Sequence, residues 1–143
     1  MSKYYEPFAK SKRGSQFKAM ESFRTHPHRG SDWSVPAGSP IKAIADGEIT
    51  TVTTTGPLGN VVIQSTYDGF FILYAHLQEL PKLEVGTKVI GGTTLIGKVG
   101  NTGTATTGAH LHCTFGSKPD LISCGENALY DLVKHIASAN KKS

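Results

Sequence analysis

Two histidines stand two residues apart in the apolar stretch 108–115. On an extended strand alternate side chains share a face, so we expect His110 and His112 to point the same way, with Cα atoms roughly 7 Å apart. Leu111 and Cys113 would then face the core. Paired imidazoles of this kind suit a metal ligand beside a catalytic group. Two polar residues on a solvated strand face are the alternative.

The chain has six histidines, and five of them fall in three clusters at predicted strand ends or in Gly-rich loops. The clusters are His26 with His28, then His76, and then His110 with His112. Catalytic zinc is commonly held by three protein ligands, imidazole nitrogen and carboxylate oxygen among them, with one position open for water. His28, Asp32 and one of the paired histidines would supply that set. A further histidine near the water could act as general base or stabilise an oxyanion.

Glycine, threonine and proline mark the loops that would carry these groups, and β-branched runs mark the strands between them. Four motifs stand in this order: His28-Arg-Gly-Ser-Asp32, Tyr74-Ala-His76-Leu77, Gly97-Lys-Val-Gly-Asn-Thr-Gly103 and Thr107-Gly-Ala-His-Leu-His112. Together they resemble the motifs of the M23 metallopeptidases, the lysostaphin- and LytM-like peptidoglycan endopeptidases. The resemblance extends from about Phe23 to Phe115. The helical His-Glu-x-x-His motif of zincins is absent from the sequence.

This resemblance implies that His28, Asp32 and His112 are the zinc ligands. It implies that His76 and His110 form a catalytic pair, in which one polarises the water and the other steadies the tetrahedral intermediate, with the assignment open. It also implies a mainly β fold, an antiparallel β-sandwich or half-barrel with a substrate groove. The activity implied is zinc-dependent hydrolysis of peptide bonds in the stem or cross-bridge of bacterial peptidoglycan, which causes cell-wall lysis.

The chain departs from the family at one position upstream of the first ligand. Family members often carry a tyrosine there that helps the oxyanion. Here no tyrosine lies between Tyr5 and Tyr67, and Ser22 and Phe23 occupy that neighbourhood. His26 is an additional imidazole, interpreted as a rim residue, with a substrate contact as the alternative.

The sequence predicts an N-terminal arm over residues 1–20, polar and loosely packed. An M23-like catalytic domain follows over residues 21–118, and a C-terminal tail over residues 119–143 carries an amphipathic helix from 127 to 139 that packs on the domain. Asp46-Gly47 and Asp68-Gly69 are hairpin signals. The apolar run 70–77 predicts a central strand whose alternation places His76 on one face with Ile72 and Tyr74.

Composition limits the partners. The chain has 143 residues, enough for one domain with its own core, and a formal net charge of +4, which suits an acidic cell-wall polymer. The basic residues are scattered and not interleaved with aromatics, so nucleic acid is not expected. No apolar run suggests a membrane span or a signal peptide. We therefore expect a monomeric phage-type lysin, made in the host cytoplasm and then released, or carried on the virion.

Several other residues have a structural and a functional interpretation. Trp33 is expected to pack, with a substrate platform as the alternative, and Asn60 is expected to complete a turn. His135 is expected on the surface, and pairing of Cys113 with Cys124 stays open. Two other functions also stay open: a non-catalytic M23-like wall-binding or regulatory module, and a zinc-free sugar- or wall-binding β domain. One zinc ion per chain would exclude the zinc-free domain.

Overall fold

Antiparallel strand pairing builds the fold. A computed structural model describes residues 3–20, 28–104, 106 and 108–141. The described residues form nine strands and one α-helix: β1 Ser31–Trp33, β2 Pro40–Lys42, β3 Gly47–Thr55, β4 Gly59–Ser65, β5 Phe71–Leu77, β6 Lys88–Val89, β7 Leu95–Lys98, β8 Leu111–Gly116, β9 Leu129–Tyr130 and α1 Leu132–Lys141. Short 3-10 turns lie at Lys10–Lys12 and Glu126–Ala128. This mainly β architecture is the one predicted.

The main sheet has the order β1-β8-β5-β4-β3-β6, with β9 also paired to β8, and β2 pairs with β7 in a second, two-stranded sheet. As predicted, the run 70–77 supplies a central strand, β5, between β4 and β8. The turn before β5 closes a hairpin through Gly69, whose φ of 94° is in the left-handed region that favours glycine. Because β5 is central, both of its faces are covered, which explains its continuous apolar sequence.

The sheet separates two apolar clusters. Ile72, Tyr74, Cys113 and Phe115 lie on one face with most of the core. The other face carries Leu73 and Ala75 together with Val61, Ile63, Leu121 and Leu129. Leu132 and Ile136 of α1 are buried in the larger cluster. Cys113 and Cys124 are both free thiols.

Two predicted elements differ in the structure. Asp46-Gly47 does not close a hairpin, because the flanking strands pair elsewhere and the Asp46 carboxylate accepts a hydrogen bond from the Gly91 amide at 2.7 Å. The helix begins at Leu132 rather than at 127, since Leu129–Tyr130 pair with β8. The Asp131 carboxylate accepts the Lys134 amide at 3.1 Å, which is an N-cap contact.

The lead-in of residues 3–20 is packed on the domain rather than loosely attached. Tyr4 is fully buried, its backbone bridges Ala45, and its hydroxyl donates to Asp68 at 2.7 Å. Farther along, Arg13 bridges Trp33 and extends the sheet edge beyond β1. The lead-in is polar and has no hydrophobic periodicity, and it packs here through backbone pairing. Hydrophobic periodicity does not predict contacts of that kind. The boundaries at 20 and 118 stay predictions. Among the described residues, no helix has the length and apolarity that a membrane crossing requires.

Candidate metal centre and its flanking histidines

Strand register places Asp32 beside His112. The two residues are direct partners in the antiparallel pair β1–β8, so their side chains share one face of the sheet. The Asp32 Oδ1 atom lies 2.9 Å from His112 Nδ1. The neighbouring pair, Trp33 and Leu111, points to the opposite face and is fully buried. The backbone of Asp32 is part of the short strand β1.

His28 enters the same cluster from the loop that precedes β1. Its Nε2 atom lies 3.1 Å from His112 Nδ1 and 3.3 Å from Asp32 Oδ1. Three potential ligand atoms therefore converge, on side chains that are buried or half-buried. Tetrahedral zinc with bonds of about 2.0–2.1 Å separates its ligand atoms by about 3.3–3.4 Å. The observed separations are equal to or a few tenths of an ångström below that value.

The outer nitrogens of both imidazoles favour a cation between the inner ones. The His28 Nδ1 atom lies 3.1 Å from the Gln16 carbonyl oxygen, which can only accept, so the neutral ring carries its proton on Nδ1. The His112 Nε2 atom lies 2.9 Å from the Thr114 hydroxyl, which can accept the proton of that ring. With the protons on these outer nitrogens, both inner nitrogens would offer lone pairs to a bound cation beside the Asp32 carboxylate. Such a cluster of acceptors fits a bound metal ion.

The ionisation states suit metal ligands. Burial alone would raise the pKa of Asp32, but contacts with His112 and His28 outweigh it and hold that pKa well below its usual range. Burial lowers the pKa of His112, although Asp32 partly opposes this. At neutral pH the carboxyl is therefore anionic and the His112 imidazole neutral, which is the form in which both groups bind a metal.

His76 reaches this face through a bulge at the end of β5. Its φ of 60° is in the left-handed region, and the β4–β5 register shifts between Asn60 and Val62. Simple alternation predicted that His76 shares a face with Ile72 and Tyr74. That prediction is wrong, because the bulge puts Leu77 in the larger core cluster and brings the His76 ring to 6.1 Å from the ring of His112.

His110 completes the group, on the same face as His112 as predicted. Its Nε2 atom lies 3.9 Å from Asp32 Oδ2, and its ring centre lies 4.8 Å from that of His76. The His110 Nδ1 donates to the Gly108 carbonyl at 2.8 Å, and the His76 Nδ1 donates to the Thr102 carbonyl at 2.7 Å. In its neutral form each ring therefore keeps an Nε2 lone pair. Burial lowers the pKa of His76 to about 4, so this ring is neutral at pH 7.

Sequence reasoning missed the support that the lead-in gives to the metal cluster. Besides the Gln16 carbonyl, the Ser15 hydroxyl lies 3.0 Å from His28 Nδ1. The Ser15 carbonyl also accepts the Asp32 amide at 2.9 Å, and Lys18 and His28 share a backbone hydrogen bond of 2.8 Å. The signal that could have found these contacts is the Ser-Gln pair in an otherwise basic segment, but it is weak.

The other residues named in the sequence analysis have different outcomes. Ser22, Phe23 and His26 lie outside the described residues. Trp33 packs in the core, as expected, and its indole donates to Glu6 at 2.9 Å. His135 is more than a surface residue, since it lies 3.1 Å from Asp68 Oδ2 and its ring contacts Tyr4, Phe70 and Phe115. The structure thus brings together all five predicted site residues, and their roles stay predictions.

The chain is similar to known cell-wall peptidases. The sequence profile of Peptidase family M23 matches residues 26–122. The chain is 37% identical over 114 residues to the DD-carboxypeptidase/endopeptidase Mpg of Neisseria meningitidis serogroup B, a match that covers 75% of this chain and 25% of the relative. It therefore spans about a quarter of the length of that relative.

Solved structures show the same fold. The catalytic domain of the antimicrobial peptidase lysostaphin from Staphylococcus simulans matches with a TM-score of 0.75 and 25% identity, over 92% of this chain and 99% of that one. A zinc-containing peptidase from Vibrio cholerae matches with a TM-score of 0.70 and 27% identity, over 87% of this chain and 37% of that one. The first likeness confirms the predicted antiparallel half-barrel.

Proposed function

Since the chain belongs to peptidase family M23, we propose that it is a zinc-dependent endopeptidase that hydrolyses peptide bonds of bacterial peptidoglycan. The observation that carries this proposal is the convergence of His28 Nε2, Asp32 Oδ1 and His112 Nδ1 within 3.3 Å of one another. With their protons on the outer nitrogens, both imidazoles would offer lone pairs there. In this proposal those three atoms hold the zinc ion.

Zinc bound at this position would act as a Lewis acid that activates water for attack on a peptide carbonyl. His76 and His110 would move the protons. Each donates its Nδ1 proton to a backbone carbonyl, so each Nε2 is free to accept a proton from the attacking water. Once protonated, the same nitrogen can donate to the developing oxyanion or to the leaving amine. Which ring takes which step stays open.

The bond that we propose as the substrate is a cross-link between two D-amino acids of the stem peptides. This choice follows the name of the Neisseria relative, a DD-carboxypeptidase/endopeptidase. Cross-bridge peptide bonds are the other candidate, which the motif resemblance of the sequence leaves open. The positive net charge of the chain would favour approach to an anionic wall.

The test is digestion of purified walls that differ in their cross-links, with mass spectrometry of the new peptide termini. We expect zinc-loaded protein to release stem peptides with a new terminus at the D,D cross-link, and to leave glycine bridges intact. Termini within the bridges would overturn the bond assignment. Stoichiometric zinc without any new terminus would overturn the enzymatic proposal and indicate a wall-binding or regulatory module.

The biological role that we propose is that of a phage-type lysin, acting on the wall as a monomer. The likeness of the fold to the catalytic domain of an antimicrobial peptidase supports a lytic role. The prediction is that added protein lyses outer-membrane-permeabilised cells, with a sedimentation mass equal to one chain. A wall that is trimmed without lysis would instead indicate a role in wall remodelling.

A further inference from the structure

One loop residue, Thr102, joins three parts of the chain at His76. Its carbonyl oxygen accepts the His76 Nδ1 proton at 2.7 Å. Its hydroxyl accepts the Asn60 amide at 3.1 Å and donates to the Leu77 carbonyl at 2.8 Å. The same residue therefore holds the imidazole through its backbone and the flanking strands β4 and β5 through its side chain.

These contacts fix the carbonyl against a bulge. The backbone of His76 has a φ of 60°, so its direction differs from that of a regular strand and depends on local contacts. The His76 amide donates to the Leu58 carbonyl at 2.8 Å, which anchors the bulge on the turn before β4. Thr102 lies against the same turn: a Cβ on Gly59 would stand 2.3 Å from the Thr102 hydroxyl. Only glycine allows this approach.

Asn60 tightens the same junction. Its side-chain amide donates to the Leu77 carbonyl at 3.1 Å, and its side-chain oxygen accepts the Thr54 hydroxyl at 2.9 Å. The Leu77 carbonyl thus accepts from both Asn60 and Thr102. A threonine hydroxyl can serve both partners at once because it donates one proton and still accepts. Valine has the same shape without either function.

From this geometry we infer that Thr102 is a positioning residue for His76: its hydroxyl locks the loop so that its own carbonyl keeps the proton on Nδ1 and leaves Nε2 free toward the site. The inference rests on the proposed function for its catalytic meaning. The orientation and tautomer of the ring, however, can be measured without any substrate. Groups that orient metal-binding histidines typically contribute about 10- to 100-fold in metal affinity or activity, and we expect an effect on activity of similar size for His76.

The experiment compares Thr102→Val with Thr102→Ser in the 143-residue chain. The matched control is Thr104→Val in the same loop; among the described residues its hydroxyl makes one long contact, of 3.4 Å, with the Gly56 carbonyl. Three kinds of measurement are made: bound zinc, the kinetic constants kcat and KM on purified peptidoglycan, and the imidazole ¹⁵N and Nδ1–H resonances of His76 by NMR. Selective labelling with a His76→Gln spectrum assigns the signal.

In the wild type and Thr104→Val we expect an exchange-protected Nδ1 proton on a single tautomer of His76. Thr102→Val should lose that protection and lower kcat about 10-fold or more, with KM and zinc nearly unchanged, and Thr102→Ser should restore both. If Thr102→Val does not fold, we expect the same losses of protection and of kcat in Thr102→Ala. An unchanged His76 signal in folded Thr102→Val or Thr102→Ala would overturn the inference. If Thr102→Val loses the His76 signal but the wild-type protein cleaves no substrate, the inference is supported and the proposed function is overturned.

Discussion

The metal cluster and the His76–His110 pair stand side by side but are held in different ways. His28, Asp32 and His112 are fixed by the β1–β8 register and by contacts with the lead-in. His76 and His110 are each oriented by a carbonyl of the glycine-rich loop between β7 and β8. The difference suggests that damage to the strand pair should empty the metal site. Damage to the loop should leave the metal bound and slow the reaction.

The largest effect is expected from removal of the metal. Exhaustive chelation should abolish hydrolysis and lower the melting temperature, because an ion that binds only the folded state stabilises it. The His76 Nδ1–H signal should survive, since a loop carbonyl and not the ion holds that ring. Activity, melting temperature and the NMR signal are measured before chelation, after it, and after zinc is restored. Full activity with metal loss confirmed would contradict the metal mechanism.

A paired glycine substitution separates the two regions. A Cβ at position 30 would stand 1.9 Å from the Cys113 carbonyl, so Gly30→Ala should force β1 away from β8 and weaken zinc binding together with activity. Gly59 has a φ of 68° and lies against Thr102, so Gly59→Ala should displace the loop. It should keep most of its zinc and lose turnover.

Both variants are purified as folded protein and assayed for zinc content beside hydrolysis rate. Their melting temperatures serve as the control for general destabilisation, because each substitution strains the backbone. The reverse pattern, with zinc lost in Gly59→Ala and kept in Gly30→Ala, would contradict the division into a strand-held and a loop-held region.

A smaller effect is expected at the opposite end of β5 from His76, where Asp68 accepts the Tyr4 and Thr66 hydroxyls at 2.7 and 2.6 Å. Burial would raise the pKa of Asp68, but these hydrogen bonds and His135 lower it overall. A carboxyl with a depressed folded pKa contributes stability above its unfolded pKa, and that stability is lost as the pH falls through the folded pKa.

Asp68→Asn should therefore lower the free energy of unfolding by roughly 1 kcal/mol at pH 7, with a smaller loss below about pH 4. Denaturant unfolding at both pH values measures this. Zinc content and kcat should stay at wild-type values, since Asp68 and its partners support neither the metal cluster nor the His76–His110 pair. A loss of stability that is independent of pH would show that the charge of Asp68 is not its source.

The smallest effect is expected at Ser31. Its hydroxyl is fully buried on the core face of β1 and has no hydrogen-bond partner among the described residues. Removing an unsatisfied polar atom relieves its desolvation cost, so Ser31→Ala should leave stability unchanged or raise it by about 0.5–1 kcal/mol. Asp32 is its neighbour, and zinc affinity should not change. A destabilised variant would show that the hydroxyl has a partner.

The functional side chains could be predicted from the sequence better than their arrangement in space. Spacing and motif order indicated the five side chains, and the apolar run 70–77 indicated the central strand. The pairing of Asp32 with His112 could not be read from spacing, because register depends on contacts between distant strands. The bulge at His76 broke the alternation used to place it, since a left-handed φ at a non-glycine residue gives no composition signal.

The lead-in shows the same limit. Residues 12–19 have no amphipathic period, so they were predicted to form a loose arm, yet their carbonyls and amides pair with those of residues 28–34. Backbone hydrogen bonds do not depend on the pattern of side chains, so the hydropathy of the sequence does not predict them. Tyr4 was missed for the related reason that a single aromatic residue can be buried without any periodic neighbour.

The central claim is that His112 holds the metal while His110, two residues away on the same face, acts on the substrate. The direct measurement is zinc content beside hydrolysis rate in folded His110→Ala and His112→Ala. We predict that His112→Ala loses both zinc and activity. His110→Ala should keep near-stoichiometric zinc and lose about 10²- to 10⁴-fold in turnover, as expected for a general acid–base. An empty site in His110→Ala together with retained zinc in His112→Ala would contradict the account.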